Sequence, residues 1–75
     1  MPEPVLLSLP AAWAWSTLTT RQLWLAYLSL GGSGGHDHVV ALAQGSEHAF
    51  GNEHDVLAQT LNEHFLDRGL PVRVS

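Results

Sequence analysis

Five histidines and seven carboxylates in 75 residues are the side chains with the clearest capacity for chemistry, and metal ligation is what that mixture suggests first. The pool is His36, Asp37, His38, His48, His54 and His64. Its spacing argues against a local site. Zinc on a helix takes two ligands at i and i+4 on one face, whereas His36 and His38 would diverge by about 200° around a helix. Neither His54 nor His64 has a histidine or carboxylate four residues away. A site would have to be gathered across separate elements, so the sequence predicts no cofactor and no metal. A small metal- or ligand-binding protein using this pool stands as the alternative reading. His54 reads as a helix residue half-buried over Leu57 or Phe50, and His64 as a solvent-facing side chain at the edge of the same stripe.

Nucleophilic catalysis needs a serine, threonine or cysteine joined to a base and an orienting group, and no such grouping is marked. The chain has no cysteine, which removes disulfides and thiolate chemistry together. Ser33, set among glycines, is the one position where backbone amides could form an anion nest, and its acidic surroundings disfavour phosphate there. The expectation is that the protein is not an enzyme. Three basic residues against seven acidic ones, a net of −4, also disfavour nucleic acid. A helix-turn-helix reader is a poor fit, because the last predicted interhelical loop is about seven residues where that motif uses three or four. The apolar start lacks a basic n-region and is broken by Pro2, Pro4 and Pro10, and no window holds the ~18 apolar residues of a membrane span. No membrane partner and a cytoplasmic location are therefore expected.

Three helices must position these groups. The run Leu18-Thr19-Thr20-Arg21-Gln22-Leu23 is a capping box with a hydrophobic staple, and it predicts a helix over about 20–30 ended by Gly31. Apolar residues nearly encircle this helix, so it is expected to be central, with Trp24 and Tyr27 buried. Gly31-Gly32-Ser33-Gly34-Gly35 looks like a flexible linker but reads here as a native turn. A short helix over 36–44 follows, stopped by Gly45. Phe50 reads as a core anchor in the next loop, and Asn52 as the cap of a helix over 53–68 with Leu57, Ala58, Leu61 and Phe65 on one stripe. Gly69, Leu70 and Pro71 close it as a Schellman motif. The expected fold is thus all-α: a three-helix domain over 18–75 with a short extended C-terminal tail, preceded by an apolar Pro/Trp-containing arm over 1–17. Pairing of Val5-Leu6-Leu7-Ser8-Leu9 with the tail Val72-Arg73-Val74-Ser75 is disfavoured by the lack of two-residue alternation in both.

Leu23, Trp24, Tyr27, Leu30, Gly31 and Gly32, followed by Glu53-His54-Asp55, Leu57-Ala58, Leu61-Asn62-Glu63 and Gly69-Leu70-Pro71, form a recognisable pattern. In it the chain resembles a set of short uncharacterised actinobacterial proteins with no established activity. The resemblance covers roughly residues 18 to 74, and it implies a compact helical domain without assigning a mechanism or a site.

What remains is association. Trp13 and Trp15 lie in the arm, Val56 and Leu66 lie on the otherwise polar side of the last helix, and Trp24 and Tyr27 belong to the helix that needs most cover. These six residues are the candidate interaction surface. The functional expectation is a non-enzymatic protein-interaction or regulatory module, with a second copy of itself (a homodimer) or another protein as partner.

Overall fold

The computed structural model describes residues 3–49 and 51–74, in the order β1 (Val5–Leu7), α1 (Leu9–Ser16), α2 (Thr20–Ser29), α3 (His36–Gln44), α4 (Glu53–Asp67) and β2 (Val72–Val74). The segment read as an arm carries an element pair of its own. Ser8 is the reason α1 starts where it does: its Oγ accepts the Ala11 amide at 3.3 Å. Pro10 lies in the first turn, where its missing N–H removes no helical bond. At the start of α2 both halves of the capping box form, Gln22 N–H donating to Thr19 Oγ1 (3.1 Å) and Thr19 N–H to Gln22 Oε1 (2.9 Å). The ends of α2, α3 and α4 share one device. Gly31, Gly45 and Gly69 take positive φ, and the following amide returns to the carbonyl five residues back: Gly32 to Tyr27 (3.0 Å), Ser46 to Ala41 (2.9 Å) and Leu70 to Phe65 (2.9 Å).

The four helices close into a ring of contacts, α1 against α3, α3 against α2, α2 against α4 and α4 back against α1. Leu9, Ala12, Leu23, Tyr27, Val39, Leu42, Leu57, Leu61 and Phe65 fill the ring. β2 lies against α4 and α1, burying Val72 and Val74 on either side of Arg73. β1 pairs with it in parallel, in the register Val5 to Val72, Leu6 to Arg73 and Leu7 to Val74. Val5 N–H donates to the Pro71 carbonyl at 2.8 Å. Across the strand, Val74 N–H donates to Asn62 Oδ1 of α4 at 2.8 Å, which ties the sheet to the helix.

The expectation of an all-α, three-helix fold is therefore corrected to four helices and a two-stranded parallel sheet among the described residues. The central element differs as well. α4 packs against α1, α2 and β2, and it buries Leu57, Thr60, Leu61 and Phe65, whereas α2 buries Leu23 and Tyr27 and leaves Leu25 47% exposed. The glycine run is a fitted turn. The Tyr27 ring lies directly against Gly32, and the Tyr27 hydroxyl oxygen accepts the amides of Gly34 (3.0 Å) and Ser33 (3.3 Å). The expected cap of α4 is absent: Asn52 has φ −97° and ψ 10°, outside the extended conformation that aims a cap side chain, and its side chain makes no cap hydrogen bond. Phe50, read as a core anchor, lies outside the described residues.

Candidate functional site

The histidines are dispersed, each by the element that carries it. His36 and His38 sit on the first turn of α3 and point in different directions. His36 reaches Thr20 Oγ1 through Nε2 (3.2 Å) and Asp37 through Nδ1 (3.1 Å), and its ring meets Trp24 edge-on at 5.7 Å. His38 is held between two carboxylates, Nε2 to Glu53 Oε2 at 2.6 Å and Nδ1 to Glu47 Oε2 at 2.9 Å. An ionised carboxylate only accepts, so satisfying both at once requires an imidazolium donating from both nitrogens. The Glu53 hydrogen bond raises the His38 pKa above the ordinary imidazole value, with Glu47 assisting and burial opposing. The clamp fastens α3 to the loop that follows it and to the first residue of α4. His48 is exposed and His54 half-buried at the head of α4. Among the described residues no three histidine, aspartate or glutamate side chains converge as metal ligands. In the His38 clamp the two carboxylates bind opposite nitrogens of the ring and do not share a centre with it.

His64, expected to face solvent, is instead a structural donor. Its Nε2–H donates to the Ser16 carbonyl at 2.8 Å, across 48 residues of sequence. Thr17 beside it has φ +57°, a left-handed conformation that a β-branched residue seldom adopts. The turn is held by three contacts besides: Thr17 Oγ1 donates to the Ser16 carbonyl (2.6 Å), Ser16 Oγ donates to the Trp13 carbonyl (2.8 Å), and Leu18 N–H donates to Ser16 Oγ (3.2 Å). The Ser33 and Gly34 amides are also accounted for, because both donate to the Tyr27 hydroxyl oxygen.

This fixed turn, through Leu18, borders an open groove of about 460 Å3 between α2 and α4. Leu18, Ala26 and Leu30 form one wall. Thr60 forms part of the other, its hydroxyl already donating to the Val56 carbonyl, and Leu66 stands on the rim with 59% of its surface exposed. Glu63 and Asp67, one helical turn apart on α4, supply negative charge along the same rim, and neither belongs to an ion pair among the described residues. The groove is therefore mixed in character, with Ser29, Thr60 and His64 among its lining beside the apolar residues, and acidic at its edge.

The six sequence-predicted surface residues differ in exposure. Leu66 lines the groove and Trp15 is 54% exposed on α1. Trp13 and Val56 are half-buried against the core. Trp24 is half-buried, with its Nε1–H donating to the Gly34 carbonyl (3.0 Å), and Tyr27 is fully interior. Sequence reasoning passed over Leu18, Ala26, Leu30, Glu63 and Asp67 as a site. The signal that was available is the Glu63/Asp67 spacing, two like charges at i and i+4 with no lysine or arginine three or four residues from either. Searched against family models, curated proteins and solved structures, the chain matches none of them.

Proposed function

We propose that this chain is a non-enzymatic protein-interaction module whose working surface is the groove between α2 and α4. One observation carries the reading: an open groove walled in part by Leu18, Ala26 and Leu30, with Leu66 projecting at its rim, in a fold whose other large α4 side chains, Leu57, Leu61 and Phe65, are fully packed. Exposed aliphatics are ordinary singly, but one that borders a concavity with apolar walls is placed to be covered by another molecule. The strained Thr17 turn at the lip supports the same reading, since unfavourable backbone persists where its surroundings over-determine it.

The test is a pair of substitutions at residues that solvent already reaches. Leu66→Asp changes the groove and Trp15→Gln changes a different exposed apolar residue; both are expected to leave folding stability within about 0.5 kcal/mol. A protein retained from the native host by the wild type and by Trp15→Gln, and lost with Leu66→Asp, supports the groove. Equal retention by Leu66→Asp refutes it.

One observation favours self-association as a second reading. β1 is paired on one side only, and Leu6 on it is 66% exposed, so two β1 edges could meet antiparallel across a two-fold axis. Light scattering that reports a single chain at tens of micromolar refutes this reading and leaves the groove untouched.

A further inference from the structure

We infer that the occupant of the α2–α4 groove is a cationic amphipathic helix of another protein, with two apolar side chains one turn apart flanked by arginine or lysine at the same spacing. The inference rests on the interaction reading above and adds the chemistry of the partner.

Size sets the number of anchors. Along α4 the groove runs from Thr60 to Asp67, about 10 Å at 1.5 Å per residue, and along α2 from Ala26 to Leu30, about 6 Å. Side chains at i and i+4 of a docking helix are about 5–6 Å apart, so two fit between these walls and a third does not. A helix laid between two helices is a recurrent way of covering such a surface.

Charge sets the flanks. Glu63 and Asp67 repel each other across one turn, and Asp67, in the last turn of α4, also opposes the helix dipole. Both effects act against the isolated fold, and among the described residues neither carboxylate belongs to an ion pair. Two cations one turn apart on a guest helix match the two carboxylates in both sign and spacing.

A second copy of this chain does not supply that pair. Its only fixed cations are Arg21, Arg68 and Arg73, which lie on no common helix face at one-turn spacing. Arg73 is already turned back onto the carbonyls of Leu70 (3.1 Å) and Val72 (2.5 Å). The formal net charge of −4 adds a general repulsion between copies. Polyanions and anionic lipid surfaces are disfavoured by the same carboxylates.

The experiment uses the full chain and three synthetic helical peptides, titrated by amide chemical-shift mapping at low and high salt. The first carries leucine at i and i+4 flanked by arginine, the second has glutamate for arginine, and the third has serine for leucine. The arginine–leucine peptide is expected to shift Ala26, Leu30, Glu63 and Leu66, to weaken with salt, and to bind at least roughly tenfold better than the other two. The double variant Glu63→Gln/Asp67→Asn is expected to unfold at slightly higher urea, because a repulsion is removed, while binding that peptide roughly tenfold less tightly. Opposite movement of stability and affinity is not produced by a purely structural role. Equal binding of the glutamate peptide at the groove overturns the cationic occupant but leaves the interaction module standing. Failure of every peptide, alongside loss of a native partner with Leu66→Asp, does the same. Shifts confined to another face, or groove shifts that grow with protein concentration alone, overturn the inference.

Discussion

Replacing Gly32 with alanine tests whether the glycine run is a fitted part of the fold. A Cβ at Gly32 would stand 2.5 Å from Tyr27 Cε2 and nearer still to Cε1 and Cζ, well inside any normal contact. Two routes of relief exist. Either the turn backs away, which strains an overpacked contact by about 1–3 kcal/mol, or the Tyr27 ring swings out and leaves the Ser33 and Gly34 amides without their acceptor, about 1–3 kcal/mol for each group that stays dry. The cheaper route sets the effect, so about 2 kcal/mol is expected, against roughly 4–11 kcal/mol for a whole fold of this length. The melting temperature would fall by roughly 8–16 °C at about 4–8 °C per kcal/mol for a small domain. Two neighbours give the comparison. Gly31 has φ +96° and open space, so Gly31→Ala meets only backbone strain, about 1–2 kcal/mol. Gly35 is the cap of α3 with ordinary φ −73° and open space, so Gly35→Ser adds a cap and stiffens the unfolded chain, stabilising by about 0.5–1 kcal/mol. Urea unfolding followed by tryptophan fluorescence ranks the three. A Gly32→Ala midpoint indistinguishable from wild type would refute the close packing, and three equal small stabilisations would mean the run is a linker after all.

The two helix caps separate in the same assay: Thr19→Ala is expected to destabilise by about 1 kcal/mol because both halves of its capping box form, whereas Asn52→Ala should stay within about 0.5 kcal/mol because its side chain caps nothing. A measurable loss at Asn52 would contradict the geometry at the head of α4. Asn62→Leu removes the acceptor for the Val74 amide and is expected to destabilise by about 1–2 kcal/mol, with hydrogen exchange quickening first in β2; unchanged exchange there would refute the tie between sheet and helix. His38 should titrate above the ordinary imidazole value in histidine-resolved NMR. Because its folded pKa is raised, its clamp contributes fully below the unfolded value of about 6.5 and is lost as pH rises through the folded one. The stability difference between wild type and His38→Gln should accordingly shrink from mildly acidic to alkaline pH, and a difference that grows would refute the clamp.

Sequence signals recovered the elements whose ends carry local chemistry. α2, α3 and α4 were legible because Thr19 with Gln22 and the glycines after each helix are short-range devices that work wherever the chain goes. α1 was missed although its signal was present. Ser8 caps it and Pro10 sits in its first turn, the place where proline favours a helix. The parallel pair was harder for a physical reason. Each strand is three residues long, and the pairing joins Val5 to Val72, so almost all the information that selects it is tertiary. Val72-Arg73-Val74 does alternate, with both valines buried, but three residues of alternation are too few to outweigh chance.

The candidate site was less legible than the fold because its residues come from three places and are unremarkable in each. Leu18 reads as a staple, Ala26 and Leu30 as parts of an apolar helix, and Leu66 as an exposed aliphatic; nothing local says that they share a groove. His64 is at the groove because it holds the Ser16 carbonyl and with it the turn that forms the lip, so its role is positional. Glu63 beside it belongs, by sequence alone, to the polar side of the last helix. The distinction between a solvated face and a recognition edge lies in what stands next to the charge. A carboxylate next to water costs the fold little, but Glu63 and Asp67 border apolar walls, repel each other, and lie on the most heavily packed helix of the protein. A local electrostatic penalty retained on the best-anchored element, beside an unfilled apolar surface, is the pattern expected when the compensating charge arrives with a partner.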